Sequence, residues 1–184
     1  MKKIIIIRGK VTAGKTTTSH ELAKVLPGWI FIDPWKIKEM FEPLNLKNRE
    51  PLKKASKKAM VEIVKVAIRD LGINIIVQET TQSFLKKYLG KDLKKYNYEL
   101  FSFFLDVELK DAIKRDIQRE KPTMNLEKEI KSEEEWKKRI LSEKKDFVIN
   151  TSKYKIKNVV DIILKQVNEK RKRNPNLHLI RKCW

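Results

Sequence analysis

Four consecutive isoleucines, Ile4–Ile7, run directly into the octet Gly9-Lys10-Val11-Thr12-Ala13-Gly14-Lys15-Thr16, and few folds accommodate that juxtaposition. The apolar run is β-branched and far too short to span a bilayer, so it reads as a strand covered on both faces. The octet fits G-x-x-x-x-G-K-[ST] at every position, with a strand before it and a helical stretch after it. Glycines in such a loop allow backbone conformations and close approaches that a side chain would block. Successive amide N–H groups then converge on phosphate oxygens, helped by the positive end of the next helix. In this pattern Lys15 reaches the outer phosphates and the Thr16 hydroxyl meets Mg²⁺. Gly9, Thr12, Ala13, Gly14, Lys15, Thr16 and Thr17 are therefore expected to hold a nucleoside triphosphate. The chemistry after binding is left open, because many enzyme classes share this loop.

The rest of the chain alternates apolar runs with helical periodicity. Strands are expected at 3–7, 29–32, 73–78, 99–106 and 147–149. Helices are expected at 15–26, 34–41, 51–71, 81–89, 108–119, 126–144 and 157–172. Asp33-Pro34 opens the second helix as cap and first residue, Gly72 ends the third, and Gly90 is expected to end the fourth. The third helix carries Leu52, Ala55, Ala59, Ile63, Val66 and Ala67 on one side, the side expected to face inward. Trp29, Trp35 and Trp136 are expected in the core or half-buried. Strand–helix alternation means βαβ units, so the fold class is α/β: a three-layer sandwich with a five-stranded parallel sheet and helices on both faces. Residues 1–173 are expected to form one domain with a small helical lid at about 115–128, and residues 174–184 a basic tail.

Composition narrows the partners. Hydrophobic residues make up 41% of the chain, enough for a packed globule. The Met-Lys-Lys start and short isoleucine run lack a small-residue cleavage site, and no run is long enough to cross a membrane. A single cysteine, Cys183, excludes an internal disulfide framework and suits a cytoplasmic setting. The 43 basic residues face only 24 acidic ones, a net charge of +19. Enrichment of Lys and Glu together would be composition bias. An excess this one-sided is the footprint of contact with nucleic acid or another polyanion.

The stretch Ile5-Ile6-Ile7-Arg8-Gly9 with Gly14-Lys15-Thr16-Thr17 resembles the opening of small P-loop kinases in the polynucleotide-kinase, zeta-toxin and chloramphenicol-phosphotransferase group. Four further motifs extend the resemblance over about residues 3–168. In this group the Asp of a motif like Asp33-Pro34-Trp35-Lys36 faces the phosphoryl acceptor and accepts the hydroxyl proton. Polynucleotide kinases place an Arg three residues later for the acceptor phosphate. Lys36 stands there instead, keeping the charge but losing the bidentate fork. Asp before Pro is also what a helix cap looks like, and one carboxylate can do both.

Gln78-Glu79-Thr80-Thr81 matches a region near the metal and the acceptor. The resemblance implies that Glu79 holds a Mg²⁺-bound water or orients the acceptor beside Thr80, whereas the residues alone also fit a polar strand end with helix caps. Arg115 and Arg119 resemble the lid pair of adenylate-kinase-like enzymes, in which the first Arg stacks on adenine and the second closes on the moving phosphate. Lys outnumbers Arg by 34 to 9 in this chain, so two Arg here are poorly explained by a solvated basic face. Asp146-Phe147-Val148-Ile149-Asn150-Thr151-Ser152 resembles the turn that lines the base pocket, which implies a cofactor contact for Thr151. His20 and His178 have no partner at metal-ligand spacing.

Together these features imply an ATP- and Mg²⁺-dependent phosphotransferase with Lys15, Asp33 and Arg119 as catalytic groups. The expected acceptor is the 5′-hydroxyl end of a polynucleotide, held by Asp33, Lys36, Glu79 and Thr80, with Thr16 and Glu79 toward the metal. One alternative is a kinase acting on a nucleoside, sugar nucleotide or antibiotic. Another is a nucleotide-dependent nucleic-acid-binding module that transfers no phosphate.

Overall fold

The computed structural model describes residues 1–41, 50–79, 85–119, 125–143 and 146–173. In chain order the elements are β1 (Lys2–Gly9), α1 (Lys15–Val25), β2 (Trp29–Ile32), α2 (Pro34–Glu39), α3 (Glu50–Val66), a π-helical turn (Ala67–Leu71), β3 (Asn74–Gln78), α4 (Leu85–Lys95), β4 (Tyr98–Asp106), α5 (Leu109–Ile117), α6 (Leu126–Glu143), β5 (Phe147–Asn150) and α7 (Ile156–Arg173). The five strands form one parallel sheet in the order β2-β3-β1-β4-β5. This is the expected α/β sandwich.

β1 lies at the centre because its side chains can be buried on both faces. All four isoleucines are fully buried. Ile5 and Ile7 pack with Leu22, Phe101, Phe103 and Ile163, while Ile4 and Ile6 pack on the opposite face with Ile75, Val77, Met60 and Leu89. Each such side chain contributes on the order of 2 kcal/mol of burial. Parallel pairing on both sides of β1 then brings the C-terminal ends of all five strands to one edge, where loops can assemble a site.

Two helices differ from the sequence expectation. On α3 the buried face is Leu52, Met60, Val61 and Val64, continued by Ala67 and Ile68 in the π turn. Ile63 and Val66, expected inward, are 42% and 50% exposed. The helix carries two apolar stripes, and the sheet takes the one that recurs at 60, 64 and 68 and also includes 61 and 67. Gly72 ends this segment in the left-handed region, as expected.

In α4, Gly90 does not stop the helix. Leu85, Leu89 and Leu93 recur every four residues across it and are all buried, so packing outweighs the ~1 kcal/mol propensity cost of an internal glycine. Arg69 also forks onto Asp92, with both contacts at 2.9 Å, and ties the π turn to the second half of α4. The helix ends at Lys95, with Asn97 supplying the left-handed residue. The expected start near Thr81 lies outside the described residues, as does the 174–184 tail.

Trp29 is half-buried, as expected, but Trp35 is 51% exposed. The side chain of Trp136 lies outside the described residues. No described helix is long and apolar enough to cross a membrane.

Gly9 is where the fold meets the site. Its φ is +148°, and a Cβ there would sit 2.1 Å from the Leu105 carbonyl oxygen. Gly9→Ala must therefore part β1 from β4 at the root of the loop. The expected loss is above about 3 kcal/mol in urea unfolding, and a loss under about 1 kcal/mol would contradict the contact.

Candidate active site: a phosphate loop clamped by helix α6

The loop between β1 and α1 is built from special backbone conformations. Thr12 has φ 59° and Gly14 has φ 83°, both left-handed. A β-branched residue in that region is strained, and such strain persists where neighbours over-determine the backbone. Here the Lys10 N–H donates to the Leu105 carbonyl at 3.1 Å, and the Arg115 Nη1 donates to the Thr12 carbonyl at 3.3 Å. Helix α1 starts with no capping side chain and no acidic residue in its first turn. The buried Thr12 hydroxyl has no hydrogen-bond partner among the described residues. An uncapped helix start beside an orphaned donor suits an anion. Lys15 folds back over this loop, its Nζ donating to the carbonyls of Gly9 at 2.9 Å and Lys10 at 2.6 Å. Ala13 is buried beneath the loop, and Thr16 and Thr17 are exposed at its exit.

Two predicted nucleotide contacts meet on the far side of the loop. Arg115 donates to the Thr151 hydroxyl at 3.0 Å and to its carbonyl at 2.8 Å. Thr151 is fixed in turn by the Asp106 carbonyl, which accepts from the Thr151 N–H at 2.8 Å and from its hydroxyl at 2.9 Å. Beside them opens a cleft of about 360 Å³ lined by Asp111, Lys114, Arg115, Thr151, Tyr154 and Lys155. Its volume suits a nucleobase and ribose. A larger cleft of about 650 Å³ lies between α5 and α6, and no phosphate-loop residue lines it.

Arg119 is placed differently from the expectation of a helix running to residue 119. Helix α5 ends at Ile117, and Arg119 lies in the turn beyond, where its Nη1 pairs with Asp116 at 3.1 Å. Asp116 is itself buried, so it holds the Arg119 guanidinium against the end of α5.

Among the residues expected to meet an acceptor, the Asp33 Oδ1 accepts from the Trp35 N–H at 2.9 Å, so Asp33 does cap α2. It comes after β2, two strand spacings from β1, or roughly 10 Å across the sheet edge. Lys36 is exposed and pairs with Glu39 at 3.1 Å. Glu79 is buried beside β1, its N–H donating to the Ile7 carbonyl at 2.9 Å. Its Oε1 accepts from the Leu85 N–H at 2.7 Å and so caps α4. Thr80 lies outside the described residues. Among the described residues no group of three or more His, Cys, Asp or Glu side chains is placed to hold a metal. A Mg²⁺ here would depend chiefly on nucleotide phosphates and the Thr16 hydroxyl.

The sequence reading missed a charged cluster under the loop. Lys10 is 1% exposed. Its Nζ pairs with Asp106 at 2.7 Å and with Glu134 on α6, and contacts the Val107 carbonyl at 3.4 Å. Lys137, also on α6, pairs with the other Asp106 oxygen at 2.5 Å. The Val11 N–H donates to both oxygens of Glu133, at 3.1 and 3.0 Å. Burial alone would lower the Lys10 pKa, but its hydrogen bonds to Asp106 and Glu134 outweigh burial and hold it above the ordinary 10.5. Burial likewise pushes Asp106 up, but Lys10 and Lys137 outweigh it and hold the carboxyl below the ordinary 3.8. Asp106 ending an apolar strand was the available signal. The α6 partners sit more than 120 positions from the loop, beyond the reach of local pattern. A second buried pair joins Arg8 to Asp146 at 3.3 Å, with Lys86 at 3.1 Å, anchoring β1 to the start of β5 and to α4.

The family profile described as zeta toxin matches residues 1–178. Among curated proteins, none matches the sequence. The fold is similar to the tunicamycin resistance protein of Deinococcus radiodurans, at 22% identity and TM-score 0.67, over 91% of this chain and 96% of that one. It is similar to the shikimate kinase of Bacteroides thetaiotaomicron, at 16% identity and TM-score 0.62, over 90% and 98%. A chain of an RNA repair complex matches at 16% identity and TM-score 0.57, over 75% of this chain but 46% of that one. At these identities the likeness is one of fold.

Asp106 sets a pH dependence. Its folded pKa is depressed, so its contribution to stability is present above about pH 4 and is lost as pH falls through the lower folded value. Asp106→Asn should cost on the order of 3 kcal/mol at pH 7, because it leaves the buried Lys10 with one carboxylate fewer. The variant should also lose less stability than the parent between pH 7 and pH 3. Equal acid sensitivity of the two, in urea unfolding at each pH, would contradict the pairing.

Proposed function

The chain belongs to the zeta toxin family and is a P-loop kinase, and from that premise we propose that it moves the γ-phosphoryl group of ATP to a hydroxyl of a small, ring-bearing acceptor of the nucleoside or sugar-nucleotide class. The observation that carries the acceptor class is the surround of Asp33: an exposed Trp35 ring next to Lys36 and Lys38, with the Lys38 Nζ 4.7 Å from the ring centroid. An exposed aromatic face suits stacking with a base or sugar ring.

The donor roles derive from the loop. Gly9, Thr12, Ala13, Gly14 and Thr17 cradle the triphosphate. Lys15 turns from the Gly9 and Lys10 carbonyls to the outer phosphates. Arg115 and Thr151 border the base cleft. When bound, Mg²⁺ neutralises phosphate charge, and the Thr16 hydroxyl is the residue to hold it, with Glu79 behind. Asp33 orients the acceptor hydroxyl and takes its proton, while one of its oxygens keeps α2 in place. Arg119 leaves Asp116 to meet the transferring group. Positioning and fixed charge supply most of the catalysis in such reactions.

A second reading, transfer to the 5′-hydroxyl end of a polynucleotide, is supported by the net charge of +19. Two features favour the small acceptor. Lys36 lacks the fork that grips a phosphate, and its charge is shared with Glu39.

Labelled ATP offered to nucleosides, sugar nucleotides and 5′-hydroxyl oligonucleotides tests both readings. Transfer to a small acceptor should change little between about 50 and 200 mM salt, whereas polynucleotide transfer should fall by orders of magnitude. Asp33→Asn should lower kcat by about 10²–10⁴ with ATP binding intact. Unchanged turnover would remove Asp33 from the mechanism. ATP binding with no transfer to any acceptor would instead indicate a nucleotide-dependent binding module.

A further inference from the structure

The phosphate loop already holds an anion supplied by the chain itself. Both carboxylate oxygens of Glu133 lie at hydrogen-bond distance from the Val11 N–H, inside the octet that begins at Gly9. Helix α6 is held in that position by its own neighbours: Glu134 pairs with Lys10 and Lys137 with Asp106. Residues 133, 134 and 137 fall on one helical face, since positions three and four apart are neighbours on a helix surface. Those two ion pairs tether α6 to the loop and to the end of β4. Glu133 goes further and takes an amide donor from a loop whose function depends on offering amide donors to phosphate.

We propose that Glu133 is an internal competitor for the donor site, its carboxylate standing where outer phosphate oxygens of the nucleotide are received. This rests on reading residues 9–16 as the donor site and goes beyond it. A carboxylate and a phosphate carry like charge and cannot share one N–H, so a triphosphate enters only as α6 withdraws Glu133. The apparent affinity is then reduced by the fraction of molecules in the plugged state. The effect falls on the outer phosphates: ATP and ADP feel it, and AMP, which does not extend to that part of the loop, does not.

The test is calorimetric titration of the full chain with ATP, ADP and AMP, comparing the parent with Glu133→Gln and with Glu135→Gln, an exposed neighbour on α6. Glu133→Gln keeps the shape and removes the charge. It should bind ATP about tenfold more tightly if the plugged state outweighs the open one by that ratio, with AMP affinity unchanged and Glu135→Gln like the parent. ATP affinity that is equal or weaker in Glu133→Gln, in a protein that still binds ATP, overturns the proposal and leaves the kinase reading standing. An equal gain for AMP overturns it too, because the effect would not belong to the outer phosphates. Failure of parent and variants alike to bind ATP overturns the donor-site reading and this proposal with it.

Discussion

An ammonium group buried under a phosphate loop has to be matched by carboxylates, and that demand organises the site. Lys10 occupies a position the loop pattern leaves unspecified, yet it is almost fully enclosed. An isolated buried charge would cost several kcal/mol, so Asp106 and Glu134 must converge on it. Asp106 comes from the end of β4, the strand directly beside β1, and Glu134 from α6. The same carboxylate of Asp106 receives Lys137, and its backbone carbonyl receives Thr151. One buried cation thus connects the loop, the central sheet, α6 and the turn that borders the Arg115 cleft.

The parallel sheet makes such convergence possible. With β1 in the middle, the loop emerges between β3 and β4, Asp33 comes after β2, Glu79 after β3, and Thr151 after β5. The candidate site groups therefore share one edge without sharing a segment. Gly9 is the hinge of the geometry, because its missing Cβ lets the loop root lie against the Leu105 backbone.

Much of this was legible in the sequence because it is local. Ile4–Ile7, the glycine octet, Asp33-Pro34 and Gly72 each carry their structural meaning within a few residues, and the five strands and the α2 cap follow from them and their like. Arg115 and Thr151 were each picked out by resemblance, and their 3.0 Å contact brings them together. Features settled by packing were less legible. Which of two apolar stripes on α3 faces inward is decided by the sheet, and Gly90 is carried through α4 by Leu85, Leu89 and Leu93. Arg119 falls past the helix end, where it pairs with the buried Asp116. Glu133 and Glu134 looked like any exposed pair on a charged helix, since nothing near them in sequence announces the loop they meet.

The central claim is that the loop at residues 9–16 grips a triphosphate with its main-chain amides while Lys15 steadies the outer phosphates. The most direct measurement is ATP binding in the presence of Mg²⁺ to the parent chain and to Lys15→Met, with urea unfolding of both as a control. The account predicts one saturable site in the parent, affinity weakened at least about tenfold in the variant, and a variant that stays folded with a loss of no more than about 3 kcal/mol for the two carbonyl contacts of Lys15. ATP binding that is unaltered by Lys15→Met, or absent from a correctly folded parent, would contradict it.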